Sequence, residues 1–112
     1  MRNYDQKMAE KAFECVFPQK DDKEYRSFAL NFPALVHSCG LVQAVAFAES
    51  RNRVYVDHLA AVFGVVEPNV DLSVASRTAD VVKYMRLSRR ALSAASWLKC
   101  YVQAFDNDSK EQ

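Results

Sequence analysis

The residues of this chain that are able to do chemistry fall into a few groupings, and most of them cancel on inspection. His37 and Cys39 stand two positions apart, as a base and a nucleophile might. On a helix that spacing turns two side chains about 200° from each other, so they do not form a dyad. His58 lies in another helical stretch with apolar neighbours and reads as an ordinary helix histidine. Asp21 and Asp22 precede an apolar run, where adjacent acids serve capping and dipole compensation better than paired-carboxylate catalysis. The 3 cysteines, Cys15, Cys39 and Cys100, are odd in number and far apart. Without a Cys-x-x-Cys or a histidine pair they suggest neither zinc nor a disulfide framework, and they read as free buried thiols of a reducing cytoplasm. With only 2 glycines, Gly40 and Gly64, no phosphate-cradling loop is available. No catalytic residue, metal ligand or cofactor is therefore expected.

The arginines are more informative. From Tyr84 to Tyr101 the chain carries Arg86, Arg89, Arg90 and Lys99 and no acid. Arg86, Arg89 and Arg90 follow i, i+3, i+4 spacing and share one helix face, roughly opposite the Leu87, Ala91 and Leu98 stripe. A guanidinium is a planar fork that matches phosphate oxygens, so three on one face suit a phosphate-contacting ridge; a solvated helix face is the plainer alternative. Trp97 falls on the Arg86 and Arg90 side of the same wheel. Packing against a second neighbouring helix suits it best, and base stacking is the other use of such a ring. Arg51 and Arg53 make a second basic spot in a short polar link.

These residues need helices to hold them. Met8, Ala12, Cys15 and Val16 recur at helical spacing over residues 3–17, and Phe17-Pro18 ends that helix. Asp21 with Glu24 has capping-box spacing and starts a second helix, in which Tyr25, Phe28, Ala29 and Phe32 form a stripe. Pro33 is expected to kink or restart it, and Gly40 to cap its end. Residues 41–50 are apolar nearly all round, so they are placed as a helix at the centre of the domain. Val54 to Val66 is rich in β-branched residues, yet Tyr55, Leu59, Val62 and Phe63 fit a helix. Asp71 caps a short helix near residues 72–81. The last helix, about residues 83–106, carries the stripe Tyr84, Leu87, Ala91, Ala94, Ala95, Leu98, Val102 and Phe105. Residues 107–112 are a polar tail expected to fray.

Length and composition agree. The 112 residues suit one domain, 1–112, and hydrophobic residues make up 50% of them, enough for a core without staples. Scarce glycine and proline favour an all-α fold, a compact single-domain bundle of about five to six helices. The apolar stretch around Cys39 to Ala48 falls short of the ~20 residues that span a bilayer, and the first residues lack the apolar core of a signal peptide. A cytoplasmic protein without a membrane partner is expected. The net charge of +1, from 15 basic and 14 acidic residues, excludes a simple polybasic binder but not a local basic face.

Three stretches, taken in order, resemble one family. They are Glu24-Tyr25-Arg26-Ser27 running to Phe32-Pro33-Ala34-Leu35, then Gly40-Leu41-Val42-Gln43-Ala44-Val45-Ala46-Phe47, then Tyr84-x-x-Leu87-Ser88-x-x-Ala91-Leu92 with Trp97-Leu98-Lys99. The chain is similar in these, and in segment order and length, to the small helical subunit of Cmr complexes, the type III-B CRISPR effectors of antiviral defence. The resemblance implies an all-helical, non-catalytic RNA-binding subunit. It would stack as a short filament of its own copies beside the backbone and large subunits, along the duplex of guide RNA and target RNA. By position, the resemblance puts Lys99 toward nucleic acid and, with it, Arg89, Arg90, Arg51 and Arg53; the helical wheel adds Arg86. Cys100 departs from the family, which often has a further basic residue there, and so weakens the patch at that turn. The rival reading is a helical protein–protein adaptor with no nucleic-acid role, favoured by the near-neutral charge. A helix-turn-helix at Gly40 ranks below both, because Leu41 to Ala48 is too apolar to lie in a groove.

Overall fold

A computed structural model describes residues 3–111, with side chains through residue 106. Among them are five α-helices and one 3-10 turn, and no strand. Helix α1, Tyr4–Val16, opens on a reciprocal cap: the Gln6 amide donates to Asn3 Oδ1 (2.9 Å) and the Asn3 amide to Gln6 Oε1 (3.1 Å). Met8, Ala12 and Val16 are its buried stripe. Pro18 then tightens the chain into the 3-10 turn Phe17–Gln19.

Helix α2, Lys23–Arg51, is capped by Asp22, whose carboxylate accepts from the Tyr25 amide at 3.1 Å. This corrects the expectation that Asp21 is the cap. The Asp22 amide still donates back to the Gln19 carbonyl at 3.0 Å, so the turn runs on through Asp21 and the helix opens one residue later. Pro33 neither kinks nor restarts α2; its only non-helical residue is Gly40, at φ 86° and ψ 164°. Gly40 thus ends one helical half, as its sequence position predicts, and the next half starts directly after it. The joint frees the first amides of the second half, and a side chain from elsewhere satisfies them. The Leu41 and Val42 amides donate to the Tyr84 hydroxyl at 3.0 and 3.3 Å. The half after Gly40 is also less enclosed than its composition predicts. Leu41, Ala44, Val45 and Ala48 are buried, whereas Ala46 and Phe47 face solvent.

Helix α3, Arg53–Phe63, is capped by Asn52, and helix α4, Leu72–Thr78, by Asp71. Tyr55, Leu59, Val62 and Phe63 are all buried, so tertiary burial outweighs β-propensity here. Helix α5, Val81–Glu111, packs against α1, α2, α3 and α4. Leu87, Ala91, Ala94, Ala95, Leu98 and Val102 are its core stripe, and the alanines let neighbouring helices approach closely. The expected frayed tail is helical in backbone to Glu111, and Gln112 lies outside the described residues. The bundle is a plate of 48 × 37 × 19 Å. Among the described residues, α2 is the one helix that by length and mean hydropathy (1.4) would suffice to cross a bilayer, against the shorter stretch read from sequence. Its Gly40 joint and its eight residues in the core make it a core helix instead.

An aromatic box joins α2 to α3, with Tyr55 packed against Tyr25, Phe28 and Phe32 at 5.1–5.8 Å between ring centres. At its edge the Tyr25 hydroxyl meets His58 Nδ1 at 2.7 Å. Burial lowers the His58 pKa from the ordinary 6.5, against a smaller opposing pull from Asp57. The folded ring takes up a proton less readily than the unfolded chain does. The stability this contributes is complete above about pH 6.5 and is lost as pH falls through the folded value. Thermal melts between pH 7.5 and 5.5 are expected to drop for the wild type and to flatten for His58→Gln; equal slopes would remove His58 as the cause.

Candidate nucleic-acid interface

The basic ridge lies on α5, whose first turn is capped by Asp80 through the Lys83 amide at 2.9 Å. The Arg86, Arg89 and Arg90 side chains project from the helix as their spacing predicts, but their surroundings differ. The Arg86 Nε lies 3.5 Å from Glu67 Oε1, and an Arg90 Nη1 donates to the same oxygen. Glu67 is only 9% exposed, in the turn between α3 and α4. The Arg86 and Arg90 side chains are 47% and 43% exposed, so their outer N–H groups still reach solvent. Arg89 is exposed and makes no ion pair among the described residues.

The other candidates do not gather around these three. At about 100° and 1.5 Å per residue, Lys99 lies some 180° around α5 from Arg90 and, though about 80° from Arg89, about 15 Å farther along the helix, and it is half-buried. Arg51 lies over the Phe47 ring at 5.0 Å, a cation–π contact at the end of α2. Arg53 is flanked by Glu49 (3.7 Å) and Asp57 (3.6 Å). Those exposed pairs are worth little for stability, but they offset its charge locally. The structure thus brings together Arg86 and Arg90, sets Arg89 beside them, and leaves Lys99, Arg51 and Arg53 elsewhere.

Sequence reasoning missed Glu67. The signal was present: Glu67 is the one acid between Asp57 and Asp71, directly after apolar Val65 and Val66. An acid in such a run is apt to be buried, and a buried carboxylate needs a cationic partner. Trp97 stacks on Tyr101 at 6.3 Å and packs against the core, part of a strip with Phe105, Phe13 and Phe17. His37 is exposed, and Cys39 donates its thiol to the Leu35 carbonyl. The expectation of three buried thiols is corrected at Cys100, which is exposed because its place on α5 turns away from the packed stripe; Cys15 and Cys39 are half-buried.

The family model for CRISPR-associated protein Cas_Cmr5 matches residues 4–105, nearly all of the described bundle. The chain belongs to the Cmr5 family. A Cmr5 relative from Thermus thermophilus, described as CRISPR system Cmr subunit Cmr5, is 39% identical over 111 residues, covering 93% of this chain and 96% of the relative. An X-ray crystal structure of a CRISPR-associated Cmr5 family protein, also from Thermus thermophilus, superposes with a TM-score of 0.81 at 38% identity. It covers 94% of this chain and 98% of that one. The architecture of that Cmr5 family structure is therefore shared by 94% of this chain.

Proposed function

We propose that this Cmr5-family chain is a non-catalytic, RNA-binding structural subunit of a type III-B Cmr effector in the cytoplasm. It stacks as copies of itself beside the backbone and large subunits and follows the duplex of guide RNA and target RNA. Membership of the family over residues 4–105 supports the place in the complex. The observation that carries the RNA reading is the α5 face, where Arg86, Arg89 and Arg90 keep donors at the surface and the helix has no acid from Val81 to Phe105. Arginine forks on a rigid helix fix phosphates without reading sequence, as a subunit that follows any guide requires. With about three phosphates per copy, the single-strand salt slope is about −2. One copy binds weakly, and a row of copies on one strand gains through effective concentration.

The adaptor reading keeps one observation of its own. Val81, Val82 and Met85 are 75%, 79% and 55% exposed at the start of α5, an apolar spot suited to a protein partner. Fluorescence anisotropy with labelled single-stranded RNA, titrated with salt, separates the two. Wild type is compared with Arg86→Ala/Arg89→Ala/Arg90→Ala once circular dichroism shows both helical. Salt-sensitive binding that the variant loses on the order of a hundredfold near 0.1 M salt is expected, from three phosphate contacts at about 0.7 each in the slope. No binding by either protein at low salt and high concentration would move the assignment to the adaptor.

A further inference from the structure

Glu67 takes up one nitrogen each of Arg86 and Arg90, part of the donor set that a phosphate would use. One of its oxygens faces both Arg86 and Arg90, and carboxylate and phosphate compete for the same guanidinium N–H groups. Its main chain is held as well as its side chain. The Glu67 amide donates to Phe63 O at 3.1 Å, its carbonyl accepts from Val70 at 3.3 Å, and Pro68 fixes the next φ. The carboxylate therefore stays beneath the two arginines unless the α3–α4 turn itself moves. Three arginines less one carboxylate leave this face with two net positive charges.

We infer that Glu67 is a built-in competitor for RNA phosphate, holding Arg86 and Arg90 so that a single copy binds RNA more weakly than its arginines would allow. This rests on the RNA-binding reading above. It adds a residue that sets the affinity of that site from the turn behind it. The physical consequence is selectivity for length. A site weakened in each copy discriminates a long strand bound by many copies from a short one bound by one, because only the former multiplies the small affinities.

The competitor reading differs from one in which Glu67 merely positions the arginines, since the two predict opposite signs for its neutral isostere. Full-length wild type and Glu67→Gln, both shown helical by circular dichroism, are titrated against a fluorescein-labelled oligouridine RNA at two salt concentrations. Removing one negative charge is equivalent to about one more phosphate contact. Binding by Glu67→Gln should tighten about five- to tenfold near 50 mM salt and about threefold near 200 mM, with a slope steeper by about 0.7. Adding Arg86→Ala/Arg90→Ala to Glu67→Gln should abolish the gain.

Equal or weaker binding by Glu67→Gln, with wild type binding RNA, overturns the inference and leaves the RNA reading standing. No binding by either protein removes both. Should Glu67→Gln fail to fold, the wild type decides by NMR. The Arg86 Nε–H and Arg90 Nη–H resonances are expected to move with added RNA as their contacts with Glu67 exchange for phosphate. Movement of Arg89 alone would overturn the inference.

Discussion

Replacing Gly40 with alanine is expected to destabilise the fold by about 2–4 kcal/mol, a fall in melting temperature on the order of 10 °C. At φ 86° and ψ 164° the backbone is in a region that L side chains rarely adopt, at a cost of about 1–3 kcal/mol. A Cβ built there also meets the Tyr84 hydroxyl at 3.3 Å, the oxygen that accepts from the Leu41 and Val42 amides. Displacing that oxygen forfeits a cap worth about 1 kcal/mol. Tyr84→Phe alone should therefore cost about 1 kcal/mol, and Gly40→Ala/Tyr84→Phe less than the sum of the two, because both remove the same cap. Urea denaturation of the three variants measures this cycle. Full additivity would mean that the hydroxyl and the glycine act separately. Tyr84 lies two residues before Arg86, so the joint in α2 also anchors the end of α5 that carries the basic ridge.

Tyr55→Ala is expected to cost about 3–5 kcal/mol, whereas Tyr55→Phe should be neutral or stabilise by up to about 1 kcal/mol. The ring is fully buried and packs against Tyr25, Phe28 and Phe32, so its removal empties the middle of the α2–α3 contact. Its hydroxyl, by contrast, is buried with no hydrogen-bond partner among the described residues. Burial accordingly pushes the Tyr55 phenol pKa well above its ordinary value, with a smaller push from Tyr25. An orphaned polar group carries its desolvation penalty without return, and phenylalanine removes the penalty while keeping the ring. The two melts, run side by side, give opposite signs if the hydroxyl is as isolated as it is here. A large loss in Tyr55→Phe would show that the hydroxyl is satisfied in solution.

Both predictions concern places where a local pattern gave only part of the answer. The stripes of α1, α3 and α5 could be read in advance because a helix must bury one face, and the period of 3.6 residues marks that face in the sequence. Asp71 was legible as a cap because it sits one residue before α4, where a short oxygen-bearing side chain can reach the free amides; Asn52 does the same for α3 and was not read so. Pro33 was misleading because proline removes one donor without dictating the path, and a long helix with four core residues before the joint tolerates that loss. Gly40 marked the end of one helical half, but not the side chain from α5 that caps the next.

The candidate interface divides in the same way. The amino-acid sequence by itself determined that Arg86, Arg89 and Arg90 share a face of α5, because spacing along one helix fixes direction around it. It determined equally the helical class and the family pattern, both written in short-range periodicity and segment order. Only the tertiary structure decided that Glu67, 23 residues from Arg90, lies under that face, and that Tyr84 caps a helix 43 residues away. It also placed Arg51 against Phe47 and Arg53 between Glu49 and Asp57, away from the ridge. The reason is physical: direction around a single helix is local geometry, whereas the partner of a charge or an unpaired amide is chosen by how whole helices pack, and no spacing in the chain records that choice.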